Sequence, residues 1–233
     1  MPAILKTGEL FRTQRLRLRW MESIDFSNLF SLLSDPLVMK HYPKTLDENE
    51  TRVWMDKTFA GYEKYGHGFY IVEELRSGRF IGQVGLLPQI LEGEYQPELG
   101  YLIRSEVFGN GFATEAGRAC LAFGFEILGF EKVVSLIRSD NTRSIAVAKR
   151  LGLALEKEID WKGFRTLIHS IAKSKYVRVR ETEPPKFDAS LVAHNLTLLP
   201  EERLASHENA RELIRDLQEA GRKYYAGQSE TFT

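Results

Sequence analysis

The chain has 233 residues, 43% apolar and 27% charged, with 18 glycines and 8 prolines, a globular composition that excludes collagen-like, disulfide-scaffold and low-complexity chains. Lysine plus arginine and aspartate plus glutamate each number 32, so no net field draws the molecule onto nucleic acid or an acidic membrane, and neither is expected as a partner. Cys120 is the single cysteine, no secretory h-region follows Met1, and no apolar run approaches the ~20 residues of a membrane span, which predicts a soluble cytoplasmic protein.

Residues 13–20 alternate strictly, Leu16, Leu18 and Trp20 against Arg15, Arg17 and Arg19, the period of a half-buried first strand with a solvated arginine face. Residues 25–33 read as a helix halted at Asp35-Pro36, and residues 47–65 as a second helix closing at Gly66. Residues 68–74, 80–87 and 97–104 are apolar segments at hairpin spacing and predict antiparallel strands. A glycine loop then feeds a long helix that ends at Gly129, with Cys120 among its core positions. A strand over 132–138, a helix over 142–151 stopped at Gly152, and a strand pair at 154–160 and 165–171 complete a mixed α/β domain, residues 1–180, with a central sheet covered by helices.

Charge is uneven along this order: residues 181–233 hold 10 acidic and 6 basic residues. They begin at Glu181-Thr-Glu-Pro-Pro185, which reads as a linker, and continue from Pro200 to about Tyr225 as an amphipathic helix. Its apolar stripe predicts burial against the main domain, a second copy in a homodimer, or another protein.

Chemistry centres on Val107-Phe-Gly-Asn-Gly-Phe-Ala-Thr114 at the start of a helix. Glycines let backbone amides approach an oxyanion, and the free N–H groups of the first turn favour negative charge there. Taken alone, the loop is either a phosphate cradle or a plain turn. It is not a P-loop, lacking Gly-Lys-Ser/Thr, and Thr114 stands where a dinucleotide fingerprint has its third glycine. The five histidines show no metal-ligand spacing, so no metal is expected.

Four ordered motifs raise the resolution: Thr13-Gln-Arg-Leu-Arg-Leu-Arg19 with Ser34-Asp-Pro-Leu-Val-Met39, Pro97-Glu-Leu-Gly-Tyr-Leu-Ile103, Phe108-Gly-Asn-Gly-Phe-Ala-Thr-Glu-Ala116, and Asp140-Asn-Thr-Arg-Ser-Ile-Ala-Val-Ala-Lys-Arg-Leu-Gly-Leu153. Over about residues 9–174 this set resembles the GNAT superfamily of acetyl-CoA-dependent N-acetyltransferases, and within it the branch that acetylates ribosomal-protein N-termini. The resemblance implies a sheet whose strands at 98–104 and 132–138 splay apart to admit the pantetheine arm of acetyl-CoA. It implies pyrophosphate on the amides of Phe108, Gly109, Asn110, Gly111, Phe112, Ala113 and Thr114, and a carbonyl polarised by a main-chain amide at Leu102 or Ile103.

Glu98 matches the carboxylate that takes the amine's proton, although a solvated strand glutamate also fits that position. Many family members protonate the thiolate with a tyrosine seven residues after the asparagine; here that place is Ala148, and the resemblance points instead to Ser144 as a donor to sulfur. Asn141 holds the arm, caps the following helix, or does both. His41, Tyr42, Trp161 and Phe164 fall where the family builds its acceptor pocket, for a small-molecule or peptide amine. Glu106 stands where the family's best-known pattern has Gln or Arg, a change expected to cost phosphate contact. The rival expectation is a non-catalytic CoA-binding or interaction module acting through the acidic tail helix.

Overall fold

In a computed structural model of the chain, residues 8–176 and 186–187 are described. Among the described residues nine strands form one mixed sheet in the order β7-β8-β6-β5-β4-β3-β2-β1-β9. In chain order the strands are β1 (Glu9–Arg12), β2 (Leu16–Arg19), β3 (Phe69–Glu74), β4 (Phe80–Leu91), β5 (Glu94–Ile103), β6 (Lys132–Arg138), β7 (Ala154–Trp161), β8 (Phe164–Ala172) and β9 (Lys186–Phe187). The helices are α1 (Phe26–Leu33), α2 (Glu48–Tyr65), α3 (Phe112–Ala122) and α4 (Thr142–Arg150). The expected linker at 181–185 and tail helix at 200–225 lie outside the described residues, while β9 adds two tail residues to the sheet beside β1.

Local chemistry sets the element ends. Asp47 and Glu50 form a reciprocal capping box at the start of α2, and Gly66, at φ 74°, closes it in the left-handed conformation that only glycine adopts without strain. α2 buries Thr51, Met55, Thr58 and Tyr62, the i, i+4, i+7, i+11 stripe that lays it on the sheet. Strands β3, β4 and β5 form the expected meander, each longer or shorter than its apolar run by a few residues.

Three expectations need correction. The first strand is preceded by β1, which pairs with β2 and buries Phe11; four residues are too few to show a period in sequence. The helix after the glycine loop is α-helical only to Ala122 and continues as a wider π turn over Phe123–Ile127. That turn places both Phe123 and Phe125 in the core, Phe123 5.6 Å from Phe11 and Phe125 4.9 Å from Tyr176, ring centre to ring centre. Third, Arg17 and Arg19 are ion-paired rather than simply solvated, although 40% of the Arg17 side chain stays exposed. Register sets Arg17 opposite Glu73, and Glu73 bonds both arginines, while Arg19 also makes bonds of 2.6 and 2.8 Å to the buried Asp25.

The β3–β4 pair is close-packed at Gly85. A Cβ there would overlap the Gly68 carbonyl oxygen and sit 2.7 Å from Phe69 Cα, both backbone atoms that cannot move independently. Gly85→Ala is therefore expected to cost about 3 kcal/mol, the upper end for overpacking, read as a lower urea midpoint.

Candidate active site

β5 is paired along its full length with β4, but with its parallel neighbour β6 at one position, Glu98 opposite Val134. Beyond that point the strands diverge. The Leu99 carbonyl, deprived of a ladder partner, is instead satisfied by the Ser135 hydroxyl at 2.8 Å. The opening enlarges into a cleft of about 2250 Å³, and all sixteen residues proposed from sequence line it.

The edge facing the gap follows from strand periodicity. Leu99 directs its carbonyl toward β6, and the Arg104 amide bonds Ile81 of β4 at 2.9 Å. N–H and C=O of alternate residues therefore face β6, so Ile103 and Tyr101 offer amides to the gap while those of Leu102 turn toward β4. Of the two expected carbonyl-polarising amides, only Ile103 is on the open edge.

The glycine loop enters the cleft through a 3-10 turn over Ser105–Val107. Gly109 and Gly111 stand at φ 83° and 82°, and Gly111 caps α3 with no side-chain bond, leaving the first-turn amides to a ligand. The Thr114 hydroxyl is buried here and has no partner among the described residues. These features fit an anionic diphosphate followed by a polar arm.

Arg15, expected on a solvated face, is the loop's clamp. It donates to the Asn110 carbonyl at 3.0 Å and to Glu115 at 2.6 Å, with its guanidinium 4.7 Å from the Phe112 ring centre. Glu115 also accepts from Thr13 and the Arg15 amide. Glu106, by contrast, is turned to Arg104 at 2.7 Å, a hydrogen bond that draws its carboxyl down to about 2. It is not among the residues that line the cleft.

Glu98 sits at the point of divergence. Burial pushes its carboxyl up to about 7, against the opposing pull of the Gln89 amide at 2.8 Å, the Leu136 backbone and the nearby Lys162. It shares a sheet face with Leu87 and Gly100. Gly100 lies against Phe69, on which Trp54 of α2 is stacked at 5.6 Å. Tyr42 is exposed to the cleft beside Trp54, and desolvation together with the charge of Glu98 raises its phenol.

The opposite face carries the other half of the site. Tyr101 reaches α4, donating to the Ser144 carbonyl at 2.9 Å. Burial raises its phenol above the ordinary range, so it remains a protonated donor. Asn141 caps α4, its side-chain oxygen accepting from the Ser144 amide at 3.1 Å. Ser144 is marked in the sequence by its spacing from Asn141, whereas Tyr101, on β5, carries no sequence signal for its contact with α4.

The remaining acceptor candidates converge on the same mouth. His41 Nδ1 lies 3.3 Å from Asp140, Phe164 is covered by the Arg138 guanidinium at 4.1 Å, and Trp161 packs partly on Leu91, Val134 and Ile168. Trp54, Phe69 and Gln89 also line this end and carry no sequence signal beyond helix or strand periodicity. Among the described residues no cluster of three potential metal ligands occurs, and no helix is long and apolar enough to cross a membrane.

Residues 15–154 match the model of the acetyltransferase (GNAT) domain. A Bacillus subtilis relative, the uncharacterized protein YkkB, is 41% identical over 148 residues, 63% of this chain and 86% of that protein. The crystal structure of an acetyltransferase from Agrobacterium tumefaciens superposes with a TM-score of 0.63 at 28% identity, covering 71% of this chain and 95% of that one. A putative ribosomal-protein-serine acetyltransferase from Vibrio cholerae shares the fold, with a TM-score of 0.61 at 20% identity over 72% of this chain and 99% of that one. The splayed sheet, the glycine-capped helix and these likenesses agree: the chain is an acyltransferase and belongs to the GNAT acetyltransferase family.

Proposed function

We propose that the protein moves an acetyl group from acetyl-CoA to a primary amine by direct transfer, with Glu98 as the base. The observation that carries this reading is the placement of Glu98, its carboxyl raised to about 7, at the single residue pair by which β5 and β6 are laddered. An acceptor amine is mostly protonated at neutral pH, its reference pKa being about 8 for an α-amine and about 10.4 for lysine. A carboxylate near 7 takes that proton and still ionises at working pH. Acetyl-CoA supplies the thioester carbonyl. The amides of residues 108–114 and the Thr114 hydroxyl fit its pyrophosphate and arm, the Ile103 amide faces the gap to polarise the carbonyl, and Asn141 orients the start of α4.

The base and the sulfur-side donor then lie on opposite sides of β5: Glu98 faces α2, while Ser144 belongs to α4, which the Tyr101 hydroxyl holds against the other face. An amine entering over Glu98 and a thiolate departing toward α4 do not compete for space. Tyr101→Phe is expected to lower kcat about tenfold and stability by about 1 kcal/mol, since the single proton of its hydroxyl ties β5 to the Ser144 carbonyl and so positions the start of α4. Paired steady-state kinetics and urea unfolding check the two effects.

Direct transfer is further supported by Cys120. The chain's single thiol is fully buried in α3 and burial raises its pKa, so it is neither accessible nor ionised as an acetyl carrier. Initial rates with acetyl-CoA and amine both varied should intersect, as a sequential mechanism requires; parallel lines would contradict it. The acceptor's reacting group is a primary amine, on a protein N-terminus or a small molecule. The N-terminal-acetylating branch is supported by one structural neighbour of the same fold. The rival interaction module rests on residues 181–233, of which only 186–187 are described.

A further inference from the structure

Nine lysines and arginines but four acidic residues line the cleft. Arg15, Arg118, Arg143 and Arg150 border the glycine loop, α3 and α4, where the polyanionic arm of CoA explains them. The other five are at the acceptor mouth, where nothing in acetyl-CoA requires them. Two are compensated there: Lys44 by Glu50 at 2.5 Å and Arg138 by Asp140 at 3.5 Å.

Lys40, Lys57 and Lys162 are different. All three are exposed, and none is ion-paired among the described residues. They come from three separate elements: the loop after α1, the face of α2 one turn beyond Trp54, and the tip of the β7–β8 hairpin. Lys162 is held at a left-handed φ of 53° by a turn closed with the Gly163 amide on Asp160 at 2.9 Å. Its ammonium lies 5.6 Å from the Trp161 ring centre and close enough to Glu98 to act on its charge. Of the acidic residues at this mouth, Glu50 and Asp140 make ion pairs, whereas Glu98 feels the charge of Lys162 without an ion pair to it and is left for the amine.

A polyamine or aminoglycoside entering here would bring further ammonium groups toward three cations that no ion pair among the described residues neutralises, a like-charge arrangement. We propose that the acceptor is a primary amine whose carrier also bears an anionic group, a carboxylate or a phosphate, received by Lys57 and Lys162 with Lys40 while the amine lies at Glu98. This rests on the acetyl-transfer reading for the fate of the amine, but the charge preference is a property of binding alone.

The test uses the full-length protein saturated with CoA and titrated with matched pairs: tyrosine against tyramine for the carboxylate, O-phosphoethanolamine against ethanolamine for the phosphate, and spermidine as a polycation. The anionic member of at least one pair should bind about tenfold tighter than its partner, and the pair with the larger ratio identifies the group. In Lys57→Gln/Lys162→Gln the ratio should fall toward one. Equal affinities within both pairs, absence of binding by either member of both, or tighter binding of spermidine overturns the proposal. Thiol release from acetyl-CoA is read separately with the same amines. An anionic preference in binding with no thiol released by any of them would leave the charge preference of the mouth standing and overturn acetyl transfer to amines of this class.

Discussion

Glu98→Gln should lower kcat/KM for the amine by about 100- to 10,000-fold while leaving acetyl-CoA binding intact, because the carboxylate acts on the acceptor's proton and the donor is held elsewhere. The pH dependence has a definite sign. Glu98 works only when ionised, and its carboxyl stands at about 7, so wild-type activity should rise with pH through that value and then level. The variant should lack this limb and retain only the titration of the amine itself. Loss of fold is separable from loss of base. A carboxyl raised by burial keeps a proton in the folded state that the unfolded chain has released, so stability falls as pH rises from the ordinary carboxylate range through about 7. Glutamine carries no charge to bury, and the urea midpoint of the variant at pH 8 is expected to be no lower than that of the wild type.

Gly111→Glu should abolish saturable acetyl-CoA binding, weakening it by about 100-fold or more. Space does not forbid the side chain: a Cβ at Gly111 would meet only Arg15 Nη2 at 3.5 Å, an ordinary contact. The loss has two other sources. The residue stands at φ 82°, which costs a non-glycine residue about 1–2 kcal/mol, and a carboxylate at the cap of α3 occupies the position where the first-turn amides receive an anion. Gly111→Asn separates them, since asparagine tolerates the left-handed region and adds no charge. Isothermal titration should find the asparagine variant binding close to wild type and no binding by the glutamate variant. Comparable loss in both variants would place the pyrophosphate elsewhere.

Much of this site was legible because its chemistry is local in sequence. A glycine loop before a helix, an asparagine three residues before a serine, and a glutamate in an apolar strand are each recognisable without partners, and the cleft gathers all of them. What sequence withheld depends on pairing across distance. Arg17 and Arg19 alternate with buried leucines and read as a solvent face; only the β2–β3 register reveals Glu73 opposite Arg17 and within reach of Arg19. Arg15 belongs to the same pattern, yet it reaches across 95 residues to hold the Asn110 carbonyl. Tyr101 could be placed on a strand but not against Ser144, because the contact requires α4 to pack on that face. The π turn after Ala122 was invisible for another reason: its residues continue an apolar helix in composition, and the wider turn arises from fitting Phe123 and Phe125 into one core.

The most direct test of acetyl transfer is a single-turnover experiment: enzyme in excess over acetyl-CoA, mixed with the anionic member of the matched pairs, with free thiol, acetylated amine and intact protein mass followed together. Thiol and N-acetyl product should appear at one rate and in equal amounts, with the protein never carrying an acetyl group, and Glu98→Gln should slow both equally. An acetylated protein that forms and decays at the rate of product formation, or thiol released without acetylated amine, would contradict direct transfer over Glu98.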